Sequence, residues 1–159
     1  MSAKYAALVG LTTSALMAIT DVSVAQSAVE KARQARTMWS AFQCGIYAEM
    51  SGERQEQARL FVVGIKAGRD FIDAINKNQI PPEVAKREVP IGVNLVFGGP
   101  TPDFILGRIF ESASNDAFDD VVKKDNGIAL ENSKWIMDSE LRKAKAKTQY
   151  LKGNCVIVK

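Results

Sequence analysis

Histidine is absent from the 159 residues of the chain. Its absence removes the imidazole base of Ser-His-Asp and Cys-His nucleophilic sites, and the commonest ligand of zinc sites. Cysteine occurs twice, at Cys44 and Cys155, with no Cys-X-X-Cys pair, which excludes the dithiol redox motif. The serines stand in none of the motifs that mark an activated nucleophile. No glycine-rich phosphate loop is present either. Enzyme chemistry would have to rest on carboxylates, lysine, tyrosine or a hard metal. The sequence assigns no catalytic residue, no cofactor and no metal ligand.

Long apolar runs are also missing. The longest, residues 5–19, falls short of the ~20 residues that cross a bilayer as a helix. Lys4 precedes it, and Ser23 and Ala25 are small residues at the positions a signal peptidase reads. Residues 1–25 are therefore expected to be a cleavable signal peptide, and residues 26–159 a single helical domain with no integral membrane segment. The remaining 134 residues carry 20 bases and 17 acids, a mild net charge of +3. That length suffices for one core, and the weak charge gives no reason to expect a nucleic-acid partner. The expected location is periplasmic or secreted. In such an oxidising compartment two cysteines predict a structural disulfide, Cys44–Cys155. Closing a loop of about 110 residues is worth roughly 4–5 kcal/mol in the chain-entropy description.

What the chain does have is helical periodicity. Ala28, Ala35, Trp39, Phe42, Ile46 and Met50 predict a first helix over 27–51, stopped by Gly52. Cys44 falls off that stripe, on a side shared with the small residues Ala41 and Ala48, where a tail can lie. A wide stripe including Leu60, Phe61, Phe71 and Ile72 predicts a central helix over 53–76. Gly64 and Gly68 stand one turn apart in it. Glycine inside a helix costs about 1 kcal/mol against alanine, which predicts the close approach of another segment. Pro82 opens a short helix to about Arg87. Residues 89–97 suit a helix or a strand, and the want of a partner strand favours the helix. Thr101, Pro102 and Asp103 form a helix start, and the helix over 102–122 packs through Leu106, Ile109, Phe110, Ala113, Ala117 and Val121. An Asn-Gly turn follows at 126–127. A last helix, capped by Asp138 or Ser139, runs to Gly153 before a tail at 154–159. The expected fold is all-α: a compact bundle of four to five helices with an extended C-terminal tail tied down by one disulfide.

Two surfaces stand out as candidate sites. The 102–122 helix carries Glu111, Asp116, Asp119 and Asp120, with Glu111 and Asp119 two turns apart on one face. The spacing does not match a calcium loop, and Lys123 and Lys124 follow at ion-pair spacing, so the bland alternative is a solvated face. The last helix is basic through Arg142, Lys143, Lys145, Lys147 and Lys152, with only Glu140 opposing; the first four are the candidate partner-binding residues, and the bland alternative is again a solvated helix. Two lesser features are the glycine-flanked start of the 102–122 helix, where Asp103 argues against an anion site, and Arg69 with Asp70, which read as rim ion pairs.

These features favour an exported helical protein that binds a macromolecular partner in the cell envelope, either another protein or an anionic polymer, in an inhibitor, immunity or accessory-type role. In architecture alone, with no shared motif, the plan resembles inhibitors and immunity proteins of wall-degrading enzymes. One alternative is a small hydrolase acting on an envelope polymer through Glu111 or Asp119. The other is a carrier of apolar ligands, with a cavity between the second helix and the 102–122 helix near Gly64, Gly68 and Gly107.

Overall fold

The computed structural model describes the backbone from Met17 and side chains from Ser27 to Lys159. Residues 1–16 lie outside the described residues, and with them most of the expected signal peptide, 1–25. The described elements in order are α1 (Met17–Ser51), α2 (Arg54–Asn76), α3 (Pro82–Glu88), α4 (Ile91–Val96), α5 (Pro102–Val122), a minimal hairpin of β1 (Lys124–Asp125) and β2 (Ile128–Ala129), and α6 (Ser139–Lys152). Single 3-10 turns sit at Asn132–Lys134 and Cys155–Ile157. The all-α class holds, with six α-helices among the described residues, two of them shorter than eight residues. All five prolines lie between residues 81 and 102. That clustering confines the broken part of the chain to α3, α4 and the loops around them, and leaves the long helices uninterrupted.

α1 is the axis of the molecule and packs against α2, α3, α5 and α6. It begins ten residues before the expected start at Ser27, because no glycine or proline interrupts residues 17–26. It stops at Gly52, whose φ of +86° suits glycine, with the Gly52 N–H donating to Glu49 O and the Glu53 N–H to Ala48 O. The chain then reverses into α2. A Cβ on Gly64 would overlap the Phe42 ring, and one on Gly68 would overlap Leu106 and Met38. The close approach expected at the two glycines is therefore real.

Two apolar clusters fill the bundle. The first gathers Met38, Phe42, Phe71, Ile72, Val93, Leu106 and Ile109. The second gathers Tyr47, Leu60, Val121, Val122, Ala146, Tyr150 and the Cys44–Cys155 disulfide. The α5 start is as expected: Thr101 Oγ1 accepts from the Phe104 N–H and Pro102 occupies the first turn. Asp138 caps α6 by accepting from the Leu141 N–H. Two local features differ from expectation. The Asn-Gly turn closes a two-residue hairpin, with φ +48° at Asn126 and +82° at Gly127, the pair of positive values that suits strand twist. The tail is less extended than expected, because Cys155–Ile157 makes a 3-10 turn that brings Cys155 onto α1.

Arg59 clasps that tail. Its guanidinium donates to Val158 O at 2.7 Å and to Cys155 O at 3.2 Å, while Glu56 holds it at 2.8 Å. Tyr150 OH donates to the same Glu56 carboxylate at 2.7 Å. At the other end of the bundle Glu88, whose side chain is 12% exposed, lies 3.6 Å from Arg33, 3.6 Å from Arg36 and 3.2 Å from Arg87. Arg36 also donates to the Glu88 and Arg87 carbonyls, so it ties the end of α3 to α1. The Arg87 hydrogen bond, aided by the charges of Arg36 and Arg33, holds the Glu88 carboxyl below its ordinary value of 4.5. Hydrogen bonds from Arg59 and Tyr150 do the same for Glu56. A carboxyl whose folded pKa lies below its unfolded value contributes stability above the unfolded value and loses it as pH falls through the folded one. The urea midpoint is therefore expected to decline as pH drops below 4.5. In Glu56→Gln/Glu88→Gln that decline should be shallower, read as the urea midpoint against pH.

Candidate functional site

The end of α5, the hairpin and α6 enclose a groove of about 550 Å³. Asp120 and Lys124 form one wall, Asn126 and Gly127 the tip, and Lys145, Thr148, Gln149 and Lys152 of α6 the other wall. Asp125, Leu141 and Ala144 complete it. The residues that hold its shape come from α1. Gln43 Nε2 donates to Asp116 Oδ2 at 2.7 Å, and Tyr47 OH donates to Asp120 Oδ2 at 3.0 Å. Burial, then the negative charge of Asp120, raises the Tyr47 pKa far above its ordinary value. Tyr47 therefore stays a hydrogen-bond donor.

Lys124 bridges the two aspartates, at 2.7 Å from Asp120 Oδ1 and 3.4 Å from Asp116 Oδ1. The Asp120 hydrogen bond, with both carboxylate charges, raises the Lys124 pKa despite partial burial. Lys145, with a side chain only 15% exposed, donates to the Lys124 carbonyl and lies 3.6 Å from Asp125. α5, hairpin and α6 are thus laced together by alternating charges. Lys152, in the α6 wall, makes no ion pair among the described residues.

The residues singled out from the sequence separate into groups. Of the acidic four, Asp116 and Asp120 share Lys124 beside the groove. Asp119 points away to Lys123, 2.6 Å distant, whose ammonium sits over the Trp135 ring. Glu111 is exposed and makes no polar side-chain contact among the described residues. Neither Glu111 nor Asp119 lines the groove, and the acids brought together are Asp116 and Asp120. Of the basic four, Lys145 enters the groove. Lys147 faces another way, 2.7 Å from Glu53 and over the Tyr150 ring, and Lys143 reaches toward Gly52. Arg142 is partly buried between these directions. The basic helix is therefore not one continuous face.

Gln43, Tyr47, Thr148 and Gln149 carry no signal in the sequence; Lys124, Asn126 and Lys152 stand out there only as an ion-pair partner, a turn residue and one base of the last helix. The spacing Asp116, Asp120, Lys124 is a readable i, i+4, i+8 pattern. The contributions of Gln43 and Tyr47 depend on how α1 crosses α5, which no local pattern encodes.

The lesser features have structural partners. Arg69 lies 3.4 Å from Asp103 and Lys66 lies 3.1 Å from Asp70, all on the exposed rim, where such pairs are worth under about 1 kcal/mol. Arg108 donates to the Gly98 carbonyl at 2.7 Å, bracing the loop before α5. The space beside Gly64 and Gly68 is filled by Phe42, Met38 and Leu106, whereas Gly107 faces open space. A separate apolar cleft lies where α1, α2 and Phe110 of α5 meet.

Among the described residues no three carboxylate or sulfur-bearing side chains converge as metal ligands, and no helix is long and apolar enough to cross a membrane. Comparison of the chain with family models, with curated proteins and with solved structures finds no match.

Proposed function

We propose that the protein is an exported binding module that engages an anionic macromolecule of the cell envelope through the groove between the hairpin and α6. The observation that carries this reading is the groove's lining: three lysines, Lys124, Lys145 and Lys152, outnumber the two acids Asp120 and Asp125 and lie alongside Asn126, Thr148 and Gln149. Ammonium groups suit carboxylates or phosphates, and side-chain amides and a hydroxyl suit the hydroxyls of a glycan. Among the described residues Lys152 pairs with no acid, and Lys145 is held in place by Asp125. Two further observations support an exported protein: the Cys44–Cys155 disulfide, a bond that persists in oxidising compartments, and the signal-like composition of residues 1–25.

A test uses trigalacturonate, an oligosaccharide with one carboxylate per sugar, titrated by calorimetry at low salt. Lys145→Ala and Lys152→Ala are each expected to weaken binding about fivefold, the equivalent of ~1 kcal/mol for one charge contact. Lys147→Ala, which loses an ammonium committed to Glu53 outside the groove, should leave affinity unchanged. Equal losses for all three variants would mean that only net charge matters and would remove the groove from the account.

A protein partner is the second reading. Leu141 lines the groove and is 54% exposed, and Ile128 of β2 and Met137, just before α6, are more exposed still. Apolar side chains among charges suit a protein contact. On this reading Leu141→Ala, not the lysine variants, would produce the larger loss of partner binding.

A further inference from the structure

We propose that the apolar cleft between α1, α2 and α5 binds a neutral small molecule with one aromatic ring and a single hydrogen-bonding group. The cleft lies apart from the polar groove and shares no lining residue with it. Its volume is about 240 Å³, and its walls are built by Phe42, Phe61, Phe110, Gly45 and Ala58. A dry apolar cavity of about 150 Å³ is enough to hold benzene, so the space here accepts one ring with a substituent.

The arrangement of the three phenylalanines supports an aromatic occupant. Phe110 stands edge-on to both neighbours, with ring centroids 5.2 Å from Phe42 at 85° and 5.6 Å from Phe61 at 87°. Phe42 and Phe61 are 6.3 Å apart and tilted by 44°. These are the separations at which aromatic rings attract one another, and a fourth ring in the cleft meets both edges and faces. Phe61 is 44% exposed at the margin, so a ligand in the cleft would cover ring surface that its two aromatic neighbours leave open.

Gly45 is the second, independent observation. It lies buried inside α1, where glycine is unfavourable relative to alanine. Gly64 and Gly68 are explained by side chains pressed against them, but Gly45 is not. A Cβ on Gly45 would meet Gln57 O and Leu60 Cβ at 3.9 Å, ordinary contact distances, and its φ is not of the left-handed kind. Packing leaves room for alanine at Gly45, and what glycine preserves there is the depth of the cleft. Gln57 is the one lining residue with a polar side chain, and its amide offers one donor group and one acceptor. No lining side chain is charged, so an ion would enter without a partner, which favours a neutral ligand.

The probe is 4-methylphenol, titrated into the full chain and followed by the aromatic resonances of the protein in NMR. Saturable shifts of the Phe42, Phe61 and Phe110 rings are expected, with a dissociation constant on the order of 0.1–1 mM. Ala58 is exposed at the rim, so Ala58→Leu keeps the fold while placing an isobutyl group in the opening; it should weaken binding at least ~10-fold. Gly45→Ala should weaken it about threefold while raising or preserving the thermal midpoint. Gln57→Leu should shift preference from 4-methylphenol to toluene. No saturable shift by about 10 mM, or affinity unmoved in both Ala58→Leu and Gly45→Ala, would overturn the assignment. Should Ala58→Leu fail to fold, Gly45→Ala decides alone.

Discussion

Replacing Cys44 and Cys155 together by alanine is expected to lower the unfolding free energy by about 3–5 kcal/mol. The residues are 111 apart in sequence, so the bond removes a large loop from the freedom of the unfolded chain. The bond also organises the folded state. Cys155 is fully buried in one cluster with Cys44 and Ala48 of α1, and the Arg59 clasp depends on the carbonyls of Cys155 and Val158 standing where the bond holds them. Alanine at both positions leaves no free thiol and adds no bulk, and the measured change combines the cross-link with the loss of two buried sulfur atoms. Urea unfolding followed by circular dichroism gives the number. A difference below about 1 kcal/mol would mean that Arg59 and the second core cluster hold the tail without the bond.

The second large effect is expected at Phe42. Its side chain is 1% exposed and lies in the hollow that Gly64 leaves on α2. It also meets Phe110 edge-on at 5.2 Å. Phe42→Ala should cost about 3–5 kcal/mol, the range for removing a buried aromatic ring. Gly64→Ala on its own should destabilise by about 1–3 kcal/mol through overpacking, less the gain in helix propensity. The same Gly64→Ala change in the Phe42→Ala background should be neutral or stabilising, since the ring it overlaps is gone. The double-mutant cycle therefore predicts a strong coupling between positions 42 and 64. Additive effects would show that α1 and α2 are not in this register.

Most of the bundle was legible because it obeys local rules. The caps at Thr101 and Asp138, the stop at Gly52 and the apolar stripe of α5 depend on residues within a turn or two of one another. Gly64 and Gly68 announced a close contact, though the sequence could not say that Phe42, Met38 and Leu106 would fill it. The Cys44–Cys155 pairing followed from there being only two cysteines. The groove was harder to see. Asp116, Asp120, Lys124, Asp125 and Lys145 form one charge network only because α6 returns beside the end of α5. Read along the sequence, Asp116 and Asp120 belong to an acidic helix, Lys124 follows as an ion-pair partner, Lys145 belongs to a basic helix, and Asp125 to neither. Composition also overstated the unity of the basic helix, since Lys145 and Lys147 turn to different sides of α6 and find different acids, Asp125 and Glu53. Gly45 has no local sequence signal, and only the space around it shows that packing does not require a glycine there.

The central claim is that the groove between the hairpin and α6 is the binding surface. The most direct test is an NMR titration of the isotopically labelled protein with trigalacturonate, read at every backbone amide. The account predicts concentration-dependent shifts confined to Asn126, Gly127, Lys145, Thr148, Gln149 and Lys152 and their neighbours, fading as salt is raised. Shifts centred on α2 or α4 with the groove silent, or no shifts at any concentration, would contradict it.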